Sequence, residues 1–189
     1  TYIEYARVML ASVYAAHPKD KINIFVFYVD DKVAKYQEIL KRQSRKNNKS
    51  NSVNFIKVDY ELVKKADNGK GWALDLWARW YSLDFLSKDY DRVLLLGIDT
   101  FIRSDISEFY FQDMSDYYFA CTADFYINHT EPSQWSGIKD DMDRMGLEDK
   151  KRYINGDVVL VNLKETRGKI SFLSFVDLYA ENQFKCWDQ

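Results

Sequence analysis

The chain has 189 residues, of which 47% are hydrophobic, 16% aromatic and 30% charged, and its formal net charge is -2. This much apolar surface excludes a disordered chain, since disordered chains cannot bury enough of it to offset their ordering entropy. The near-neutral charge argues against a nucleic acid as partner, because a nucleic-acid-binding protein carries a basic excess.

Apolar spacing predicts helices that alternate with strands along the chain. The expected helices are 2–16, a helix through Val33, Tyr36 and Leu40 capped by Asp31, 72–87, a short one near 138–146, and 170–184. The expected strands are 22–29, 53–58, 92–96, 118–122 and 158–162, with a short strand-like piece at 101–102. This alternation favours an α/β fold with a mainly parallel, doubly wound sheet.

The composition of one predicted strand indicates how it is buried. Residues 22–29 are almost continuously apolar, which is typical of a central strand covered on both faces. In parallel sheets ligands bind beyond the carboxyl ends of the strands, so chemistry is expected in the loops after Val29 and Leu96.

The sequence also bears on the compartment. Cys121 and Cys186 lie far apart, which favours free thiols in a reducing compartment over a disulfide. No run approaches the roughly 18 apolar residues needed to cross a bilayer. The opening residues Thr1 to Glu4 include neither a basic nor an apolar leader, so no signal peptide is expected. The location expected for the chain is cytoplasmic.

A carboxylate follows the hydrophobic strand 92–96 almost at once, at Asp99. A carboxylate at this position needs a partner, because desolvating its charge is costly. Asp99 therefore binds a divalent metal, caps the next turn, or pairs with Arg79 or Arg103. Arg79 itself lies in an aromatic helix, and its guanidinium suits phosphate recognition.

A second polar group precedes a buried strand at Asn155-Gly156. An Asn-Gly pair is either a plain turn or a polar side chain placed at the edge of the sheet. Other motifs are absent. The chain has no Gly-x-Gly-x-x-Gly fingerprint of a dinucleotide-dependent oxidoreductase. Its histidines lack zinc-site spacing, so His17 is expected at a helix end and His129 in an exposed loop.

In their order and spacing these segments resemble the family 8 glycosyltransferases, retaining enzymes with a GT-A fold, and the likeness runs almost end to end. The segments that carry it are Tyr2 with Val8–Val13 and Ala15–Pro18, Ile22–Val29, Ala78–Trp80, Arg92–Asp99, Asp105–Tyr110, Ala120–Asp124, Tyr153–Gly156 and Trp187–Gln189. The resemblance implies one GT-A domain over residues 1–189, with a Rossmann-like sheet flanked by helices. It also implies a fragment that lacks the family's first strand and its C-terminal part.

The resemblance further implies roles for individual positions. Catalytic positions would be Asn155, Asp188 and Gln189. Substrate-binding positions would be Tyr2, stacked on the nucleobase of a UDP-sugar, together with Ile98, Arg79 and Asp124. Asp99 would bind the divalent cation, Mn2+ or Mg2+, that bridges the donor diphosphate.

Two positions depart from the family pattern. Gly97 stands where the first aspartate of the Asp-x-Asp motif is expected, and Asp157 stands where the family usually has glycine. The first change removes a metal or ribose contact, so restoring aspartate at position 97 is expected to tighten Mn2+ binding. The residues alone give no physical account of the second.

The implied activity is transfer of galactose or glucose from a UDP-sugar to a saccharide or glycolipid acceptor of the cell envelope, such as a lipopolysaccharide. The chain would work on the inner face of the plasma membrane, attached peripherally through basic and aromatic residues. A basic run follows Leu40 and is either a solvated helix face or such a contact: Lys41, Arg42, Arg45, Lys46 and Lys49. The alternative is a non-catalytic nucleotide-sugar-binding or scaffold domain, which the loss of a carboxylate at Gly97 would suit.

Overall fold

The computed structural model describes residues 2–66, 74–131, 138–149 and 153–182. Its strands are β1 (Asn23–Tyr28), β2 (Ser52–Lys57), β3 (Arg92–Leu96), β4 (Phe119–Ala123) and β5 (Ile154–Asn162). Its α-helices are α1 (Tyr2–Ala16), α2 (Gln37–Asn47), α3 (Tyr60–Val63), α4 (Asp75–Ala78), α5 (Ser82–Phe85), α6 (Ser107–Phe111), α7 (Phe125–His129), α8 (Ile138–Arg144), α9 (Leu163–Thr166) and α10 (Phe172–Asn182). Turns of 3-10 helix cover Asp31–Tyr36, Lys64–Ala66 and Arg79–Tyr81.

Strands β1 and β2 pair in parallel, and helices cover both of their faces. Ile24 and Val26 pack with the α1 and α2 side chains around Leu10 and Leu40. Phe27 points to the other side and packs in the main core, where its ring lies 5.9 Å from that of Phe85. Because successive residues of a strand point to opposite faces, this double cover explains the continuous apolar run and confirms the α/β class.

The second sheet has the order β3-β5-β4, and both of its pairings are antiparallel. The alternation of strands and helices did not predict these directions. A parallel pair needs a crossover of a dozen or more residues, usually one long helix. The described parts of the β3–β4 and β4–β5 connections hold only short helices. These connections are therefore not crossovers of that kind, although helices and strands alternate along the sequence.

The main core lies between the sheet formed by β3, β5 and β4 and the helical stretch that runs from α4 to α5. Trp80 is buried there and stacks on Phe175 of α10, with 5.0 Å between ring centroids. Val159 of the central strand β5 is fully buried in the same cluster. The predicted helix 72–87 is therefore present as a helical stretch with a 3-10 turn at Arg79–Tyr81, and its residues 72 and 73 lie outside the described residues.

Three local expectations are wrong. Asp30, not Asp31, caps the turn after β1, and its carboxylate accepts from the Lys32 N–H at 2.9 Å. Residues 101–102 pair with no strand among the described residues, and the Ile102 N–H instead donates to Ser12 of α1. His129 ends the short helix α7, although it is exposed as expected.

The positions of His17, α8 and α10 agree with the sequence predictions where the structure describes the chain. His17 follows the end of α1, and α8 and α10 lie within the predicted ranges. Cys121 is a free, half-buried thiol; Cys186 and the end of the predicted helix 170–184 lie outside the described residues. None of the described helices has the length and apolarity needed to span a membrane.

Candidate functional site

The candidate site begins where β3 ends. The pairing of β3 with β5 continues one step past its last register pair, because the Gly97 N–H donates to the Asp157 carbonyl at 2.8 Å. The chain then turns, and the Thr100 N–H donates to the Gly97 carbonyl at 3.1 Å. This turn carries Ile98, which is 40% exposed, and Asp99, which is also exposed.

The two departures from the family pattern are in contact. A Cβ atom built on Gly97 would lie 2.5 Å from Asp157 Oδ1 and 2.9 Å from Asp157 Cγ. It would also lie 3.0 Å from Asp99 Oδ1. The space that a side chain at position 97 would need is thus filled by the Asp157 carboxylate, and both carboxylates approach one point.

Arg79 reaches the same place from the helical stretch above the sheet. Its Nη1 lies 3.8 Å from Asp157 Oδ1, and its guanidinium lies 5.7 Å from the centre of the Trp80 ring. The Arg79 side chain is only 16% exposed, against 48% for Asp157. Arg79 thus forms an ion pair with Asp157 between the helical stretch and the sheet, a pairing that the sequence did not predict.

Asn155 fixes the backbone beside this cluster. Its side-chain Oδ1 accepts from the Asp157 N–H at 2.9 Å. Together with the bond from Gly97 to the Asp157 carbonyl, this holds both backbone polar groups of Asp157. Asn155 therefore has a local structural role, and its contact with a sugar stays a prediction.

Asp124 lies at the neighbouring strand end. Ala123 pairs with Ile154, and the Asp124 N–H donates to the Tyr153 carbonyl at 2.9 Å. Its Oδ1 caps α7 by accepting from the Ile127 N–H at 2.9 Å. One carboxylate oxygen of this buried residue is thus used by the fold, while its contact with substrate stays a prediction.

The segment after Asp99 is held against α1. The Ile102 N–H donates to Ser12 Oγ at 2.9 Å, and the Ile106 N–H donates to His17 Nε2 at 3.2 Å. Hydrogen bonds from Ser107, and to a smaller extent the charge of nearby His17, hold the pKa of Asp105 below its usual value. These contacts fix the position of the loop that carries Asp99.

A shallow groove lies at the carboxyl ends of β1 and β2, where the sequence also predicted chemistry. Its lining is Val29, Asp31, Lys57, Asp59 and Tyr60. Across it, Lys57 Nζ lies 2.7 Å from Asp31 Oδ1, which raises the pKa of Lys57. None of the predicted site residues lines this groove. The cluster around Gly97 therefore remains the candidate site.

The described residues include no group of three or more His, Cys, Asp or Glu side chains arranged to hold a metal ion. The convergence of Asp99 and Asp157 still fits a divalent cation of the Mg2+ or Mn2+ type. Such cations take oxygen ligands, and they are commonly held by one or two carboxylates with substrate phosphates completing the shell. The Asp99 and Asp157 carboxylates match the protein part of that ligand set.

The remaining predicted positions are not placed by the structure. Asp188 and Gln189 lie outside the described residues. Tyr2 begins α1, but its side chain is not described. The structure therefore groups Asp99, Arg79 and Asn155 around Asp157. Ile98 lies on the turn that carries Asp99, and Asp124 lies at the end of the adjacent strand β4.

Asp157 is the site residue to which the sequence analysis assigned no role. The available signal was an acidic residue near the start of an apolar strand, in a chain that also lacks an acidic residue at position 97. The role of Asp157 depends on the antiparallel register of β3 and β5, which places positions 97 and 157 opposite each other. That register was not predicted.

Comparisons with known proteins agree with this architecture. The family described as "Glycosyl transferase family 8" matches residues 1–187. No curated protein matches the chain in sequence.

Three solved structures resemble the fold. An active-site mutant of LgtC superposes with a TM-score of 0.74 at 23% identity, over 100% of this chain and 62% of that chain. Galactosyltransferase LgtC in complex with donor and acceptor sugar analogues gives 0.71 at 22% identity, over 100% of this chain and 63% of that one. The apo structure of the bifunctional glycosyltransferase WbbM gives 0.74 at 13% identity, over 98% of this chain and 33% of that one. This chain thus spans less than two thirds of the LgtC chains, and at these identities the likeness shows a shared GT-A fold.

Proposed function

This chain belongs to glycosyl transferase family 8, and from that premise we propose that it is a retaining hexosyltransferase. It transfers galactose or glucose from a UDP-sugar to a saccharide or glycolipid of the cell envelope. The observation that carries the proposal is the meeting of Asp99, Asp157 and Arg79 beyond the end of β3. Support for the donor class comes from LgtC, which was crystallised with donor and acceptor sugar analogues.

The chemistry of glycosyl transfer explains this set of charges. The transition state resembles an oxocarbenium ion, and a diphosphate departs with growing negative charge. A divalent cation, proposed as Mn2+ or Mg2+, supplies Lewis-acid neutralisation of that charge when bound. Asp99 would hold the cation, and the Arg79 guanidinium would bind phosphate oxygens through its planar fork.

The other residues would position the donor. Tyr2 would stack on the nucleobase and Ile98 would contact the substrate, while Asp124 and Asn155 would contact the transferred sugar or the acceptor. Asp188 and Gln189 would lie beside the anomeric carbon. These roles follow the family resemblance and are proposals for this chain.

The acceptor would be met at the inner face of the plasma membrane. The basic end of α2 and several exposed aromatic side chains, including Phe101, Phe111 and Phe125, support a peripheral contact there. Exposed arginines and lysines attract anionic lipid headgroups, and aromatic rings favour the membrane interface.

A donor panel tests the proposal. The purified chain is incubated with Mn2+ and each of UDP-galactose, UDP-glucose and a GDP-hexose, and released nucleoside diphosphate is measured. We expect release from a UDP-hexose only. Arg79→Met should lower it by about tenfold or more, because a charge-assisted contact is lost. Arg167→Met is the matched control, since Arg167 pairs at the surface with Asp91 at 3.7 Å and lies outside the site.

One observation favours a second candidate, a non-catalytic nucleotide-sugar-binding domain. Gly97 removes a carboxylate from the motif that would hold the metal. Calorimetry separates the two proposals. UDP-sugar binding that is independent of Mn2+ and is followed by no UDP release would favour the binding domain.

A further inference from the structure

We propose that Asp157 supplies from β5 the carboxylate that position 97 lacks, so that Asp99 and Asp157 bind the divalent cation together. This inference rests on the proposed function, since it names the residues that serve its metal. The two departures from the family pattern are then linked: the carboxylate lost at position 97 beyond β3 is replaced by the carboxylate gained at position 157 on the facing strand β5.

The geometry of position 97 is the first argument. Asp157 Oδ1 and Asp99 Oδ1 lie 2.5 and 3.0 Å from the point where a Gly97 Cβ would stand. Two carboxylates that approach one point repel each other, and the single positive charge of Arg79, 3.8 Å from Asp157 Oδ1, offsets only one of their two charges. A hard divalent cation that takes oxygen ligands is the partner that fits such a pair.

The fixed backbone of Asp157 is the second argument. Its N–H donates to Asn155 Oδ1 at 2.9 Å, and its carbonyl accepts from the Gly97 N–H at 2.8 Å. With both backbone groups held, only the short side chain can move. The backbone that carries the carboxylate is therefore fixed beside Gly97, which lowers the entropic cost of binding a ligand there.

The ion pair with Arg79 does not by itself account for Asp157. The two groups are 3.8 Å apart, and the Asp157 side chain is 48% exposed. An ion pair at that exposure contributes little to stability. Arg79 does offset one of the two negative charges, so a cation and a diphosphate would complete a near-balanced cluster.

A side chain at position 97 and the present conformation of the Asp157 side chain exclude each other. A side chain at position 97 needs the space that the Asp157 carboxylate fills, since contacts of 2.5 and 2.9 Å are too short for non-bonded atoms. We therefore no longer expect Gly97→Asp alone to tighten Mn2+ binding. That change should displace Asp157 and add a third negative charge, whereas Gly97→Asp combined with Asp157→Gly should move the carboxylate back to β3.

The experiment measures Mn2+ affinity in the presence of UDP, by calorimetry and by the paramagnetic resonance of free Mn2+. Asp157→Asn keeps the size of the side chain and should weaken Mn2+ binding by about tenfold or more, the range typical of altered metal sites. Gly97→Asp should weaken it similarly. The double variant should return to within about threefold of the original chain, as strongly coupled neighbours do. Asp116→Asn, an exposed aspartate near the start of β4, is the matched control, and circular dichroism confirms that each variant is folded.

Unchanged Mn2+ affinity in Asp157→Asn, with weakened affinity in Asp99→Asn, would overturn the inference. A double variant as weak as Gly97→Asp alone would also overturn it. If the double variant does not fold, the isosteric Asp157→Asn decides the question. Failure of the proposed function looks different, because the unmodified chain would then release no UDP from any UDP-hexose, whatever its Mn2+ affinity.

Discussion

Asp124 offers a test that separates a structural role from a substrate contact. Its Oδ1 accepts from the Ile127 N–H at 2.9 Å, and the two residues are 9% and 1% exposed. Asp124→Ala removes this cap and leaves a buried N–H without its acceptor. A lost cap costs about 1 kcal/mol, and an unsatisfied buried donor costs about 1–3 kcal/mol. We therefore expect Asp124→Ala to lower the free energy of unfolding by about 2 kcal/mol, or the Tm by roughly 4–8 °C at this chain length.

The matched variant is Asp124→Asn, which keeps a cap oxygen and removes the charge. Urea unfolding followed by circular dichroism should place it within about 0.5 kcal/mol of the original chain, because Asn caps helices about as well as Asp. If Asp124 also contacts the sugar, this stable variant should still lose UDP-hexose turnover. An Asp124→Ala chain as stable as the original would refute the capping argument. A fully active Asp124→Asn would refute the substrate role.

Two further predictions concern the surroundings of the site. Ser12→Ala should lower the free energy of unfolding by about 1–2 kcal/mol, because the Ile102 N–H loses the hydroxyl acceptor that ties the loop after Asp99 to α1. The control is Ser50→Ala at the exposed end of the α2–β2 loop, which should change the unfolding midpoint little. Equal midpoints for the two variants would contradict a stabilising role for the Ser12 hydroxyl. Burial raises the pKa of the Cys121 thiol. In a Cys186→Ser background its alkylation by iodoacetamide should be slower than that of a free cysteine and should increase at more alkaline pH. An alkylation rate equal to that of a free cysteine would contradict the buried environment.

The parts of the fold that follow from local pattern were predictable from the sequence. The continuous apolar run around Phe27 predicted a strand covered on both faces, and the structure places helices on both sides of it. The aromatic stripe through Trp80 predicted the helical stretch that packs on the main core. Both signals arise from side-chain periodicity, which does not depend on the rest of the fold.

Strand direction and long-range contact could not be predicted in the same way. Whether β5 runs parallel or antiparallel to β3 depends on how the chain between them returns, and the same apolar pattern suits either direction. The role of Asp157 depends on that direction, since its partner Gly97 is distant in sequence and meets it only in the antiparallel register. Asp99 and Arg79 were identified from local cues, whereas the residue that joins them required the structure.

The most direct test of the proposed hexosyltransferase is release of UDP from UDP-galactose or UDP-glucose by the purified chain, with Mn2+ and then with excess EDTA. The account predicts release that depends on added protein, stops when EDTA removes the cation, and returns when Mn2+ is restored. No release from either UDP-hexose, together with no binding of UDP in the presence of Mn2+, would contradict it.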